Sequence, residues 1–190
     1  MKRSFRHLVF AVSAIATLAA VPALQMAPAQ ANFVQAGANL LKKLATPEVK
    51  LNLAAHKKLV QTDKQGKPQI SWQDLGSKAV VQPGDVLRYS LSSSNIGDAA
   101  AKNLVLNQPI PAQMTYVLNS ARSNAGLRVT YSIDNGRTFV AQPKVKVKQA
   151  DGSIVEKPAP AEIYTHVRWQ AQGDVAPATN LMASYEVKVR

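Results

Sequence analysis

From Pro47 to the C-terminus, apolar and polar residues alternate with a period of two. Val49, Leu51 and Leu53 alternate with Lys50 and Asn52, and Leu87, Tyr89 and Leu91 with Arg88, Ser90 and Ser92. Leu127, Val129 and Tyr131 repeat the pattern, as do Ala183, Tyr185, Val187 and Val189. Successive side chains of a strand point to opposite faces, so each run predicts a strand with one buried face. Further strands are expected at 69–72, 103–107, 114–118, 145–147, 154–155 and 163–169. Between them lie turn formers: Pro83-Gly84, Asn95-Ile-Gly-Asp98, Asp134-Asn-Gly136 and Asp151-Gly152. An Asn-Gly pair favours a hairpin because its turn needs positive φ at both central residues, so 137–140 is the expected return strand. Roughly eight to ten short strands, with no long helical pattern after Pro47, predict an all-β, antiparallel β-sandwich, with a barrel as the alternative closure.

The N-terminal part follows another rule. Val34, Ala38, Leu41 and Ala45 have helical spacing, with Lys42 and Lys43 toward the end and Thr46-Pro47 as a stop. This reads either as a membrane-surface or partner-binding helix or as a short tether. Before it comes a basic head at 1–7, an uncharged and mostly apolar stretch at 8–24, and the small residues Ala29 and Ala31. That layout is a secretory leader cleaved after Ala31. An uncleaved anchor is the other reading, although the apolar run falls short of the roughly 20 residues a spanning helix needs. The expected organisation is a leader at 1–31, a linker or short helix at 32–46 and one sandwich domain at 47–190. No later run is long enough to span a membrane as a helix.

Composition narrows the chemistry. The chain has no cysteine, which removes disulfides, thiolate catalysis and cysteine-ligated metals. Its formal charge of +12 falls to +9 when Lys2, Arg3 and Arg6 leave with the leader. A basic exported protein is drawn to anionic envelope polymers, lipid head groups or acidic polysaccharide, although charge also serves solubility. Lys144, Lys146 and Lys148 alternate with Val145 and Val147. On a strand they form a cationic stripe roughly 13 Å long. An anionic glycan could dock there; equally, lysines on an edge strand prevent sheet-to-sheet aggregation. Nucleic acid is not expected, since export removes the usual target and no aromatic residues interleave with the stripe.

The segment "VQPGDVLRYSLSSSNIGDAAAKNLVLNQPIPAQMTYVLNSA", 81–121, resembles the bacterial conserved-repeat family known as domain of unknown function eleven. The resemblance is carried by Pro83, Gly84, Asp85, Tyr89, Asn95, Gly97, Asp98, Asn103, Pro109, Pro111, Tyr116 and Val117. "VTYSIDNGRTF" and "HVRWQ" look like the family's later hairpin and its strand with a central Trp. The resemblance implies an immunoglobulin-like sandwich of envelope and surface proteins, with no catalytic residues. Gln108 stands where the family commonly has Asp. The single copy behind a leader is similar to short stand-alone forms of cyanobacteria.

Catalytic and metal chemistry have few candidates. His56 and His166 are the only histidines after the leader, and a zinc site would need carboxylates from distant strands. Ser92-Ser93-Ser94 lacks a nucleophile frame. Asp85, Asp98, Asp134 and Asp151 sit in turns, where they bond to nearby backbone or, as an alternative, could hold calcium. The expectation is a non-enzymatic, cofactor-free envelope or secreted module with a macromolecular partner of unknown identity. The alternative is a binder of anionic polysaccharide through Lys144, Lys146 and Lys148.

Overall fold

The computed structural model describes residues 15–17, 46–76, 80–124 and 126–190. The helical segment expected at 32–46, apart from Thr46, and most of the leader lie outside the described residues. The strands are β1 (Ile15–Thr17), β2 (Val49–Thr62), β3 (Pro68–Asp74), β4 (Val86–Asn95), β5 (Val105–Pro109) and β6 (Met114–Tyr116). They continue with β7 (Arg122–Ser123), β8 (Leu127–Ser132), β9 (Lys144–Lys148), β10 (Ile154–Pro158), β11 (His166–Ala171) and β12 (Asn180–Val189). A 3-10 turn, Ala161–Ile163, precedes β11.

All pairings are antiparallel. One sheet has the order β3-β2-β4-β12-β6, with β7 also on β12; a second has the order β1-β5-β11-β8. A separate ribbon joins β9 to β10. The two larger sheets remain separate and pack face to face. Leu87, Tyr89 and Leu91 of β4 and Ala183, Tyr185 and Val187 of β12 meet Leu106 of β5 and Val167 and Trp169 of β11. Trp169 is 0% exposed; its ring lies 5.9 Å from that of Tyr185, which stacks on Tyr89 at 5.4 Å. These are the alternating residues of the sequence, each turned inward by the strand period.

Turn chemistry explains the ends of β4. Gly84 takes φ 93°, and Asp85 accepts the Gln82 N–H at 2.7 Å while pairing with Lys57 at 2.7 Å. At the other end, Asn95 is 1% exposed. Its Nδ2 donates to the carbonyls of Ala99 and Val175, both at 2.8 Å. Its Oδ1 accepts the N–H of Gly97 at 3.2 Å and of Glu48 at 3.3 Å. One side chain thus ties the entry of β2, the exit of β4 and the strand-like segment at Val175. Gly97 is required by close approach: a Cβ there would collide with the backbone of Thr46 and Glu48.

Two elements differ from the pattern. The Asp134-Asn-Gly turn forms with φ 59° at Asn135 and 80° at Gly136, yet 137–140 is not a strand. The Asp134 carboxylate accepts the Thr138 N–H at 2.9 Å and its hydroxyl, holding the chain in a bend. Phe139 then lies against the Arg168 guanidinium, 3.3 Å from the ring centre. Only an isolated bridge, Tyr131 to Val140, survives. In contrast, β2 runs further than its alternation suggested. Its distal half, His56–Thr62, outlasts β4 and pairs with β3. That leaves Val60 (62% exposed) opposite Ile70 (56% exposed) on a projecting hairpin.

Replacing Asn95 by Ala removes the acceptor for the Gly97 and Glu48 N–H groups and one donor each to the Ala99 and Val175 carbonyls, which should lower stability by about 2–4 kcal/mol. Urea denaturation of the two proteins measures this; a loss below about 1 kcal/mol would show that the turn cluster is not a tie-point.

Candidate functional site

The Lys-bearing strand lies in the separate ribbon. Lys148 pairs with Ile154, Lys146 with Glu156 and Lys144 with Pro158. Lys144, Lys146 and Lys148 are exposed and, by the strand period, share a face. Val145, Val147 and Val155 are half-buried on the other. Glu156 approaches Lys144 at 3.7 Å, and such an exposed pair adds little stability, so the face keeps two uncompensated positive charges. The ribbon turn is fixed by Asp151, which accepts the Ser153 N–H and hydroxyl at 2.9 and 2.7 Å. These bonds hold the Asp151 carboxyl below its usual pKa. Because β9 pairs with β10 alone, its other edge is open, and the lysines also guard that edge.

At the base of the ribbon, Ala159 N–H donates to the Pro143 carbonyl at 2.9 Å, and both residues are buried. Here Lys144 borders a cavity of about 330 Å³ lined by Tyr116, Tyr131, Tyr164, Leu118, Asn119 and Gln142, among others. Tyr116 comes from β6 in one sheet, Tyr131 from β8 in the other, and Tyr164 from the end of the 3-10 turn. Their rings form a cluster: Tyr116 stacks on Tyr164 at 5.1 Å, lies 5.5 Å from Tyr131, and Tyr131 meets Tyr164 edge-on at 5.6 Å.

The hydroxyls are ordered as well. Tyr116 Oη accepts the Ala121 N–H at 3.3 Å and shares a hydrogen bond with Tyr131 Oη at 3.3 Å. Burial, reinforced by the Tyr116 bond, raises the Tyr131 pKa, and burial also raises that of Tyr164. Both therefore stay neutral donors across physiological pH. Aromatic faces, neutral hydroxyls and an ammonium at the rim together suit a hydroxylated ring that carries a negative charge.

The other candidates are dispersed. His56 is on β2 of the larger sheet and His166 on β11 of the smaller; both alternate with core-facing neighbours, which places them on opposite outer faces. His166 packs under Gly136, whose Cβ, if present, would lie 3.3 Å from the ring, and beside Phe139. Burial, then the charge of Arg168, lowers its pKa. Among the described residues, no group of three His, Asp or Glu side chains gathers for a metal. Ser92, Ser93 and Ser94 are ladder residues between β2 and β12. Asp134 is held well below the usual carboxylate range by Ser132 and Thr138. The tyrosine cluster escaped sequence reading because Tyr116 and Tyr131 occupy core-phase positions on strands of different sheets. Comparison of the chain with family models, curated proteins and solved structures finds no match. Among the described residues, no helix is long and apolar enough to cross a membrane.

Spectrophotometric titration should show Tyr131 and Tyr164 ionising later than a free phenol, with Tyr131→Phe removing one late step; normal titration of every tyrosine would contradict the cavity geometry. His166 sets a second pH dependence. Its folded pKa lies below the ordinary 6.5, so the unfolded chain binds the proton first. Stability is therefore full above about 6.5 and declines as pH falls below it. Urea midpoints between pH 7.5 and 5.5 should fall, and fall less in His166→Gln; equal slopes would remove His166 as the cause.

Proposed function

We propose that this chain is a non-enzymatic, exported module of the cell envelope or extracellular space that acts by binding another macromolecule. The reading favoured for its partner is an anionic polysaccharide. One observation carries it: the exposed lysine face of β9 runs into the tyrosine cavity at Lys144. A linear acidic polymer would lie along the lysines and seat one sugar ring against the tyrosines. Electrostatic attraction along the ribbon accelerates encounter, and the aromatic contact supplies ring selectivity. The leader-like layout of 1–31 supports export. The face-to-face antiparallel sheets, with the resemblance over 81–121, support an immunoglobulin-like sandwich as the carrier of this surface. The open edges of the ribbon and the projecting β2–β3 hairpin suit a module that works by contact.

Retention on immobilised polygalacturonate at low salt tests the reading, with a neutral glucan column as control. Lys144, Lys146 and Lys148 changed together to Glu should weaken binding by about tenfold or more, equivalent to ~1.4 kcal/mol, without altering the circular dichroism spectrum. Absence of retention at low salt overturns the polysaccharide assignment.

A further inference from the structure

The outer edge of β5 carries an observation independent of the lysine ribbon. In the full chain Ile15, Ala16 and Thr17 pair antiparallel with Asn107, Leu106 and Val105. Those three residues fall inside the segment read as a leader, so removal of 1–31 takes β1 away and makes β5 an edge strand. We infer that this edge is then a strand-accepting site, filled by an extended, uncharged segment of a partner protein in the register that Ile15–Thr17 hold. The inference rests on the leader reading and not on polysaccharide binding.

Backbone polarity defines the site. Ala171 donates to the Leu104 carbonyl at 2.9 Å and Ile110 to the Thr165 carbonyl at 2.8 Å. Even-numbered positions of β5 therefore bond toward β11, and Val105 and Asn107 present their N–H and C=O groups outward. Pro109 occupies the next outward position, where a missing N–H costs the β11 ladder nothing and ends the acceptor surface. Within Val105–Pro109 there is no lysine, arginine or other charge, the usual protection of a free edge.

Three other edges are guarded. On β8, Tyr131 is bridged by Val140 through bonds of 2.8 and 3.0 Å. β3 begins with Pro68 and faces a turn rich in charge, 63–67. β9 carries its three lysines. The side chain of Asn107 adds a chemical preference: in the full chain, beneath β1, its Oδ1 is buried without a hydrogen-bond partner. A partner residue opposite it with a hydroxyl or amide donor would satisfy that oxygen. The segment recognised is thus short, extended, uncharged and best supplied with Thr, Ser, Asn or Gln opposite Asn107.

The test uses the processed protein harvested after export, in which every core residue among the described residues lies between 49 and 189, with its N-terminus sequenced. The probe is a synthetic peptide of residues 12–20 bearing a solubilising tail, and a second peptide with Thr at position 15. Amide exchange is followed by NMR. Val105 and Asn107 should exchange quickly in the processed protein while Ile110 and Ala171 stay protected. Peptide should slow the first two by about tenfold or more, the Thr peptide at lower concentration. Asn107→Pro removes one outward N–H without touching the β11 ladder, so it should keep its fold and lose the peptide effect. Unchanged exchange on adding either peptide overturns the proposal. So does protection in processed protein alone: growing with concentration, it assigns the edge to a second copy; independent of concentration, to the chain's own segment. An N-terminus that retains 15–17 overturns it through the leader reading.

Discussion

The contact between Trp169 and Tyr185, extended to Tyr89, fixes the distance and angle between the two sheets. With no cysteine in the chain, no disulfide can do this, and the interface depends on buried aromatic area and close packing. The candidate site inherits that geometry. Tyr116 lies beside Val187 on the larger sheet, and Tyr131 beside Val167 on the smaller. Val187 and Val167 belong to the same core as Trp169 and Tyr185. The tyrosine cavity therefore exists because the sheets approach as they do, and loosening the aromatic contact would separate its walls.

Polar groups divide between fold and surface by burial. Asn95 is fully enclosed, and its four hydrogen bonds act on the backbone around it. The lysines of β9 are the opposite case: exposed, with Lys144 weakly paired to Glu156, and contributing little to folding. Two other cations are restrained by aromatic faces, Arg88 over Trp72 at 3.7 Å and Arg168 over Phe139. Arg88 is further held by Glu186 at 2.7 Å. Arg88 and Arg168 on the two sheets are thus pinned, while the lysine face of the ribbon is open to a ligand.

The fold was legible where information is local. Alternation located the core faces of β4 and β12, and the Pro-Gly and Asn-x-Gly turns appear where their residues require them. The segment 137–140 was misread because Asp134 binds Thr138 and Phe139 turns onto Arg168, a contact across the sheet that no local period reports. The full length of β2 was hidden because its distal half, with Lys57, Lys58 and the exposed Val60, does not alternate cleanly. Of the site, Lys144, Lys146 and Lys148 were visible as a common face. The tyrosines were not, since meeting one another depends on how the two sheets close. The pairing of β1 with β5 is equally non-local, joining positions about ninety residues apart.

The central claim is that the lysine face and the tyrosine cavity form one binding surface. NMR titration of the processed protein with a short galacturonic acid oligomer tests it directly. The account predicts shifts concentrated at 144–148 together with Tyr131 and Tyr164, moving with a common saturation curve. Shifts confined to the outer face of the larger sheet, or lysine shifts that saturate separately from those of the tyrosines, would contradict it.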